Sequence, residues 1–227
     1  MTHVPDLPPD QVNWIRDWHD RAYAEGRSDV TRTFMYLDRT VVVPPHVQPV
    51  VGMAHVLGSP VLAEVQAGDR VLDMGTGSGV NAVLAASVST SVIAVDVNPH
   101  AVAAARHNAE LNGVADRIET RLSDVFSAVP ERFDLILFDP PFRWFAPRDW
   151  FERASTDEDY GTLTTFMREA GDHLEPTGRM LVSFGTTGDL GFLHRLIDEY
   201  GFRRETVAHD TLDRDDRTVE YFTYRLH

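Results

Sequence analysis

The sequence predicts an α/β protein: a mostly parallel, Rossmann-like sheet covered by helices on both faces, preceded by a small N-terminal helix and hairpin. Three observations carry this. From residue 70 onward, short apolar runs alternate with helical stretches. Several runs are apolar on both faces, as strands of a doubly covered sheet must be. The first run leads directly into a glycine-rich turn and a helix, Gly75-Thr76-Gly77-Ser78-Gly79.

Taken in order, the prolines at positions 5, 8 and 9 open a helix over about 10–26, with Trp14, Ile15, Trp18 and Ala22 on one face. Residues 32–43 are rich in β-formers, and Asp38-Arg39 supplies a turn for a hairpin. The adjacent prolines of Val43-Pro44-Pro45-His46-Val47-Gln48-Pro49 hold the chain extended, placing a boundary between an appendage, 1–48, and a main domain, 49–227. Helical stretches near 50–57 and 60–66 precede a strand, Arg70–Met74; a second strand covers Val92–Asp96. Asn98 and Pro99 suit the cap and first turn of the next helix, which Gly113 closes. Strands follow at Ile118–Leu122 and Phe133–Phe138, then an aromatic loop over 143–160 and a helix near 162–174. Pro176-Thr177-Gly178 turns into a strand, Arg179–Phe184. A helix over Leu190–Tyr200 and two strands near 202–208 and 218–225, antiparallel across a polar turn, complete the reading.

Composition narrows the function. The chain has 227 residues, 21 basic against 35 acidic for a net charge of −14, and no cysteine. Thiolate metal sites and cysteine nucleophiles are excluded, and the charge opposes a protein whose main task is gripping nucleic-acid phosphates. No histidine spacing suggests a metal centre, so none is expected. No secretory leader opens the chain and no apolar run approaches the ~20 residues of a membrane span, so a cytoplasmic, membrane-free location is expected.

In a parallel sheet, ligands sit beyond the carboxyl ends of the strands, where the strand order reverses. Four segments lie there. Asp73 precedes the glycine loop, whose backbone can approach a ligand closely ahead of a helix N-terminus. Its G-x-G-x-G spacing departs from the dinucleotide fingerprint, which wants glycine where Val80 stands. Asp96 ends the second strand, where a carboxylate can accept both hydroxyls of a ribose. Asp124 and Phe126 follow the third strand, as acceptor for an exocyclic amine and cover for a ring, or as a helix cap and a core residue. Asp139-Pro140-Pro141-Phe142 follows the fourth. Two prolines remove two N–H donors, leaving rigid acceptors suited to a group that only donates, such as –NH₂, with Phe142 as a flat apolar face.

In this order the four segments resemble class I S-adenosylmethionine-dependent methyltransferases. The D-P-P-F run resembles the D/N-P-P-F/Y/W motif of the amino-methylating branch, which acts on adenine-N6, guanine-N2, glutamine-N5 and some lysines. The specific match covers about residues 70–145. The resemblance implies a seven-stranded sheet whose last strand is antiparallel, and S-adenosylmethionine as cofactor. It implies that Asp73, Gly75 and Gly77 line the methionine end, that Asp96 holds the ribose and Asp124 and Phe126 the adenine, and that Thr76 and Asn98 also belong to the cofactor site. Asp139 and the Pro140 carbonyl would hold the target nitrogen beside Phe142, making these three the catalytic set. Pro44–Gln48 resembles a proline-containing segment of the glutamine-N5 enzymes, from which Gln48 could reach the cofactor. Those enzymes carry N-P-P-Y, so Asp139 and Phe142 argue against glutamine as substrate.

Trp144, Phe145, Trp150 and Phe151 either wall an acceptor pocket, with Trp144 and Phe145 binding substrate, or pack on the N-terminal helix. His46 and His55 read as packed residues, with a catalytic base as the alternative. The favoured function is N-methylation of a small molecule, such as one of specialised metabolism, because the charge opposes RNA. The alternatives are methylation of an RNA base or protein side chain, with or without a partner subunit, and a non-catalytic cofactor-binding partner.

Overall fold

The computed structural model describes residues 2–50, 52–215 and 217–227. Helix α1 (Pro9–Gly26) leads to a hairpin of β1 (Arg32–Tyr36) and β2 (Arg39–Val43). The main sheet follows, with α2 (His55–Glu64), β3 (Arg70–Met74), α3 (Val80–Ala86), β4 (Ser91–Asp96), α4 (Pro99–Leu111), β5 (Ile118–Leu122) and β6 (Phe133–Phe138). Then come α5 (Trp150–Arg153), α6 (Gly161–Glu169), β7 (Leu174–Gly185), α7 (Leu190–Glu199), β8 (Arg204–Arg214) and β9 (Arg217–Leu226).

The seven-stranded order is β5-β4-β3-β6-β7-β9-β8. Pairings from β5 through to β7 are parallel, and β9 runs antiparallel between β7 and β8. The order reverses between β3 and β6, so the glycine loop and the Asp139 corner leave neighbouring strands at the same edge. Alternate residues feed two cores. Leu72, Met74, Ile136, Phe138, Met180 and Val182 pack toward α6 and α7, while Val71, Leu135, Leu137 and Leu181 pack toward α2 and α3.

Residues 2–48 share these cores: Ile15 joins the first, and Val41 and Val43 pack with Ala101 and Ala104 of α4. The hairpin turn is Leu37-Asp38, one residue earlier than expected. Both residues have left-handed φ, +45° and +61°, as a two-residue turn between twisted strands demands.

The two helical stretches expected around Gly58-Ser59-Pro60 are one helix, α2; position 51, in the first of them, lies outside the described residues. Pro60 removes the bond to the Val56 carbonyl, and the Thr223 hydroxyl donates to that oxygen instead, at 2.6 Å. Pro176-Thr177-Gly178 is a register irregularity inside β7 rather than its start. There a Cβ on Gly178 would stand 2.7 Å from the Phe133 carbonyl oxygen. The terminal strands are longer than expected; position 216, in their turn, is outside the described residues.

Candidate functional site

The glycine loop is built around Asp73. Its buried carboxylate accepts from the Thr76 hydroxyl at 2.5 Å and from the Ala82 N–H at 3.0 Å, tying β3 to the first turn of α3. Burial pushes this carboxyl up to about 7, against the pull of those two bonds. Gly75, Gly77 and Gly79 all have left-handed φ, and a Cβ on Gly79 would stand 2.6 Å from the Ala105 Cα. The third glycine therefore lets α3 close on α4. Asp73 shapes the loop from behind and does not face the cavity.

Asp96, at the end of β4, accepts from the Gly77 N–H at 2.9 Å and the Asn98 N–H at 2.8 Å, one on each oxygen. Burial raises its pKa and these backbone donors oppose the rise. Each oxygen keeps acceptor capacity for a ligand hydroxyl. Asn98 caps α4 by accepting from the His100 N–H and donates to the His46 carbonyl.

After β5, Ser123 donates to the Val125 carbonyl at 2.7 Å and holds Val125 at φ +47°, unusual for a β-branched residue. The turn leaves Asp124 exposed in the cavity and puts the Phe126 ring face to face with His173, 4.1 Å between centres.

After β6, Asp139 is enclosed by protein yet open to the cavity, with Pro141 beside it. Removal from bulk water pushes its carboxyl up to about 6, with the Ser183 hydroxyl pulling the other way. The corner is braced from behind: Tyr160 donates to the Phe142 carbonyl at 2.8 Å and accepts from the Asp189 N–H at 2.7 Å.

One cavity of about 790 Å³ brings together Gly75, Asp96, Asn98, Asp124, Phe126 and Asp139. Asp73, Thr76, Gly77 and Pro140 support it without lining it, and Gln48 and Phe142 are also off its wall. The Phe142 ring packs toward Phe184 and Tyr221, and the Gln48 side-chain oxygen is buried without a partner among the described residues. Trp144 and Phe145, offered as substrate contacts, pack with the N-terminal segment. Trp144 is buried against Phe145 and Tyr160, and Phe145 meets His19 and the Arg16 guanidinium of α1. The His46 ring lies tilted against that of His100, 4.9 Å between centres, and His55 pairs with Asp210 at 2.8 Å, both away from the cavity wall.

Of the loop aromatics offered as a pocket wall Trp150 alone lines the cavity, and Arg153, Thr162 and His173 are cavity residues that the reading missed. Trp150 and Arg153 sit on α5, a four-residue helix capped by Asp149, too short to show periodicity. That wall is clasped by α1. His19 and Glu152 lie 2.7 Å apart, and Tyr23 donates to Asp149 at 2.7 Å. Burial alone would raise the Glu152 carboxyl, but hydrogen bonds from Arg148 and His19 hold it at about 2.

These residues fit a nucleoside. The volume is that of a small-molecule site, Asp96 offers paired acceptors for a ribose, and Asp124 offers an acceptor beside Phe126, whose ring is covered by His173. No group of His, Cys, Asp or Glu among the described residues could hold a metal. No described helix is long and apolar enough to cross a membrane.

The chain is 40% identical over 162 residues to a release factor glutamine methyltransferase of Cereibacter sphaeroides, covering 66% of this chain and 58% of the relative. It is 39% identical over 116 residues to a ribosomal RNA small subunit methyltransferase C of Chromohalobacter salexigens, covering 51% and 31%. The chain thus spans less than two thirds of either relative's length. In fold it resembles a T. thermophilus 16S rRNA methyltransferase solved with AdoMet and guanosine, at a TM-score of 0.62 and 20% identity, covering 86% of this chain and 49% of that one. The family model described as "Methyltransferase small domain" matches residues 56–189, which take in the glycine loop, Asp96, Asp124 and the Asp139 corner. With that match over more than half its length, the chain belongs to the methyltransferase small domain family, a family of class I S-adenosylmethionine-dependent methyltransferases.

Proposed function

We propose that this chain transfers a methyl group from S-adenosylmethionine to a nitrogen of a macromolecule, in the first place a protein side chain. One observation carries the reading: a single cavity joins the ribose-type carboxylate, Asp96, to the acceptor-only corner at Asp139. The small-molecule acceptor expected from the acidic charge gives way, because the relatives are named for release factor and ribosomal RNA. Between protein and RNA, the net charge of −14 favours protein.

S-adenosylmethionine supplies an activated methyl on a sulfonium. The chain's own contribution is alignment, for which proximity and orientation can provide ~7–11 kcal/mol. Asp96 and Asn98 seat the ribose, and Asp124 with Phe126 seats the adenine. Asp139 and the Pro140 carbonyl accept from the N–H groups of the target, favouring a pyramidal nitrogen with its lone pair free. As that nitrogen gains positive charge Asp139 stabilises it, and its carboxylate is placed to take the proton that leaves.

A second reading, methylation of an RNA base, has the ribosomal RNA relative in its favour. Labelled cofactor incubated with the chain and a cell extract separates the readings. Label that survives nuclease and is lost to protease is the expected result. Label lost to nuclease moves the substrate to RNA, and label in the low-mass filtrate restores a small molecule. No label in any fraction leaves the non-catalytic binding partner.

A further inference from the structure

Arg143 follows the Asp139 corner directly, and it is 6% exposed. Its guanidinium lies 4.5 Å from the centre of the Trp18 ring on α1 and 5.4 Å from that of Phe142. Among the described residues only the Thr187 hydroxyl, 3.4 Å from a terminal nitrogen, is within hydrogen-bond range of the guanidinium, and Nε has no partner. Among the described residues no carboxylate pairs with it. Arg121 and Arg179, which are more exposed, each hold two.

Taking a charge out of water without a counter-charge is strongly unfavourable, and the flanking rings offset only part of that. The same burial pushes the Arg143 guanidinium down to about 10. A second donor in this cluster is also unused: the indole N–H of Trp14, stacked on Trp18 at 6.1 Å, is buried without a partner among the described residues. The Tyr221 ring packs on the other side of Phe142. Donors thus collect beside the acceptor corner with nothing to receive them.

The geometry points to a binding site for a single carboxylate, carried by the acceptor substrate and seated against Arg143 beside Phe142. One cation between flat aromatic faces matches a planar carboxylate, whereas a nucleic-acid backbone needs many cations and meets a chain of net charge −14. Under the transfer reading above, the substrate is then a protein segment with one carboxylate next to the methylated nitrogen. Anion binding itself does not depend on that reading.

The test uses the full chain with acetate as probe, inorganic phosphate for comparison, and chloride at matched ionic strength as baseline. Acetate is expected to raise the melting temperature by ~2–4 °C and to change tryptophan emission. Arg143→Met should lose both responses, yet melt no lower than the parent without acetate, because a buried cation with no counter-charge contributes little to folding. Trp18→Phe should keep the thermal response and lose the emission change. An Arg143→Met chain that melts well below the parent, or does not fold, shows a structural guanidinium and overturns the site. No acetate response in the parent, or equal responses in parent and Arg143→Met, does the same. Phosphate binding tenfold tighter than acetate overturns the carboxylate in favour of a nucleic-acid phosphate. None of these readouts uses methyl transfer, so this site and the transfer reading can fail separately.

Discussion

Asn108 of α4 bonds both main-chain groups of Val42: its side-chain oxygen accepts from the Val42 N–H and its amide donates to the Val42 carbonyl, each at 2.8 Å. One turn later, Asn112 repeats the arrangement on Thr40, at 3.2 and 2.8 Å. Two carboxamides four residues apart on a helix thus stand in for a neighbouring strand along the free edge of β2. The Asn108 amide also reaches the Ser78 carbonyl, so the hairpin, α4 and the glycine loop meet at one fully buried side chain.

Asn108→Ala leaves two backbone acceptors and one donor without partners. A loss of ~2–4 kcal/mol is expected, read as a melting temperature ~5–12 °C lower. Asn112→Ala, at a more exposed position, should cost less than half of this in the same measurement.

Asp139→Asn should lower turnover ~100- to 1,000-fold while leaving cofactor affinity within ~3-fold, measured by single-turnover methyl transfer and calorimetry. Turnover near that of the parent would remove Asp139 from the chemistry.

The pH dependence follows from the same carboxyl. Burial raises Asp139 from 3.8 to about 6, and the ionised form is the one that accepts and stabilises charge. Activity should therefore fall as pH drops through about 6, and the residual activity of Asp139→Asn should lack that limb. A pH–rate profile from 5 to 8 decides it.

Asp96→Ala removes two backbone-anchored acceptors from the cavity wall. Cofactor dissociation constants ~10- to 100-fold higher are expected by calorimetry, matching the loss of hydrogen bonds to a charged group. Unchanged affinity would place the ribose elsewhere.

Glu152 is held at about 2 against 4.5 for an unperturbed carboxyl. Its stabilisation is full above the unfolded value and is lost as pH falls from 4.5 through 2. Glu152→Gln should lower the melting temperature by ~3–6 °C at pH 7, and the gap from the parent should narrow as the pH is taken from 5 toward 3.

The centre of the sheet was legible because β3, β4 and β6 carry apolar residues on both faces, and the corner residues were legible because they lie directly after a strand. Asp96, Asp124 and Asp139 needed no more than that rule to be brought to one place. Other features depended on distant partners. Pro60 reads locally as a helix break, and only Thr223, far along the chain, explains why the helix runs on. His173 becomes a cavity residue through its stack on Phe126, and no neighbour in sequence signals that contact. Trp144 and Trp150 stand six residues apart in one aromatic loop, one buried and one on the cavity. Asp149, by starting a helical turn, separates their fates.

The clasp between α1 and the cavity wall has a practical consequence for engineering. The cavity is built by the loops of the sheet, but its outer rim is held by His19 and Tyr23 through Glu152 and Asp149. Transplanting the sheet and its loops behind a foreign leading segment would carry over the cavity and leave its mouth unsupported. A chimera of that kind should keep the cavity and lose the order of its rim, so the first thirty residues belong to whatever unit a redesign moves.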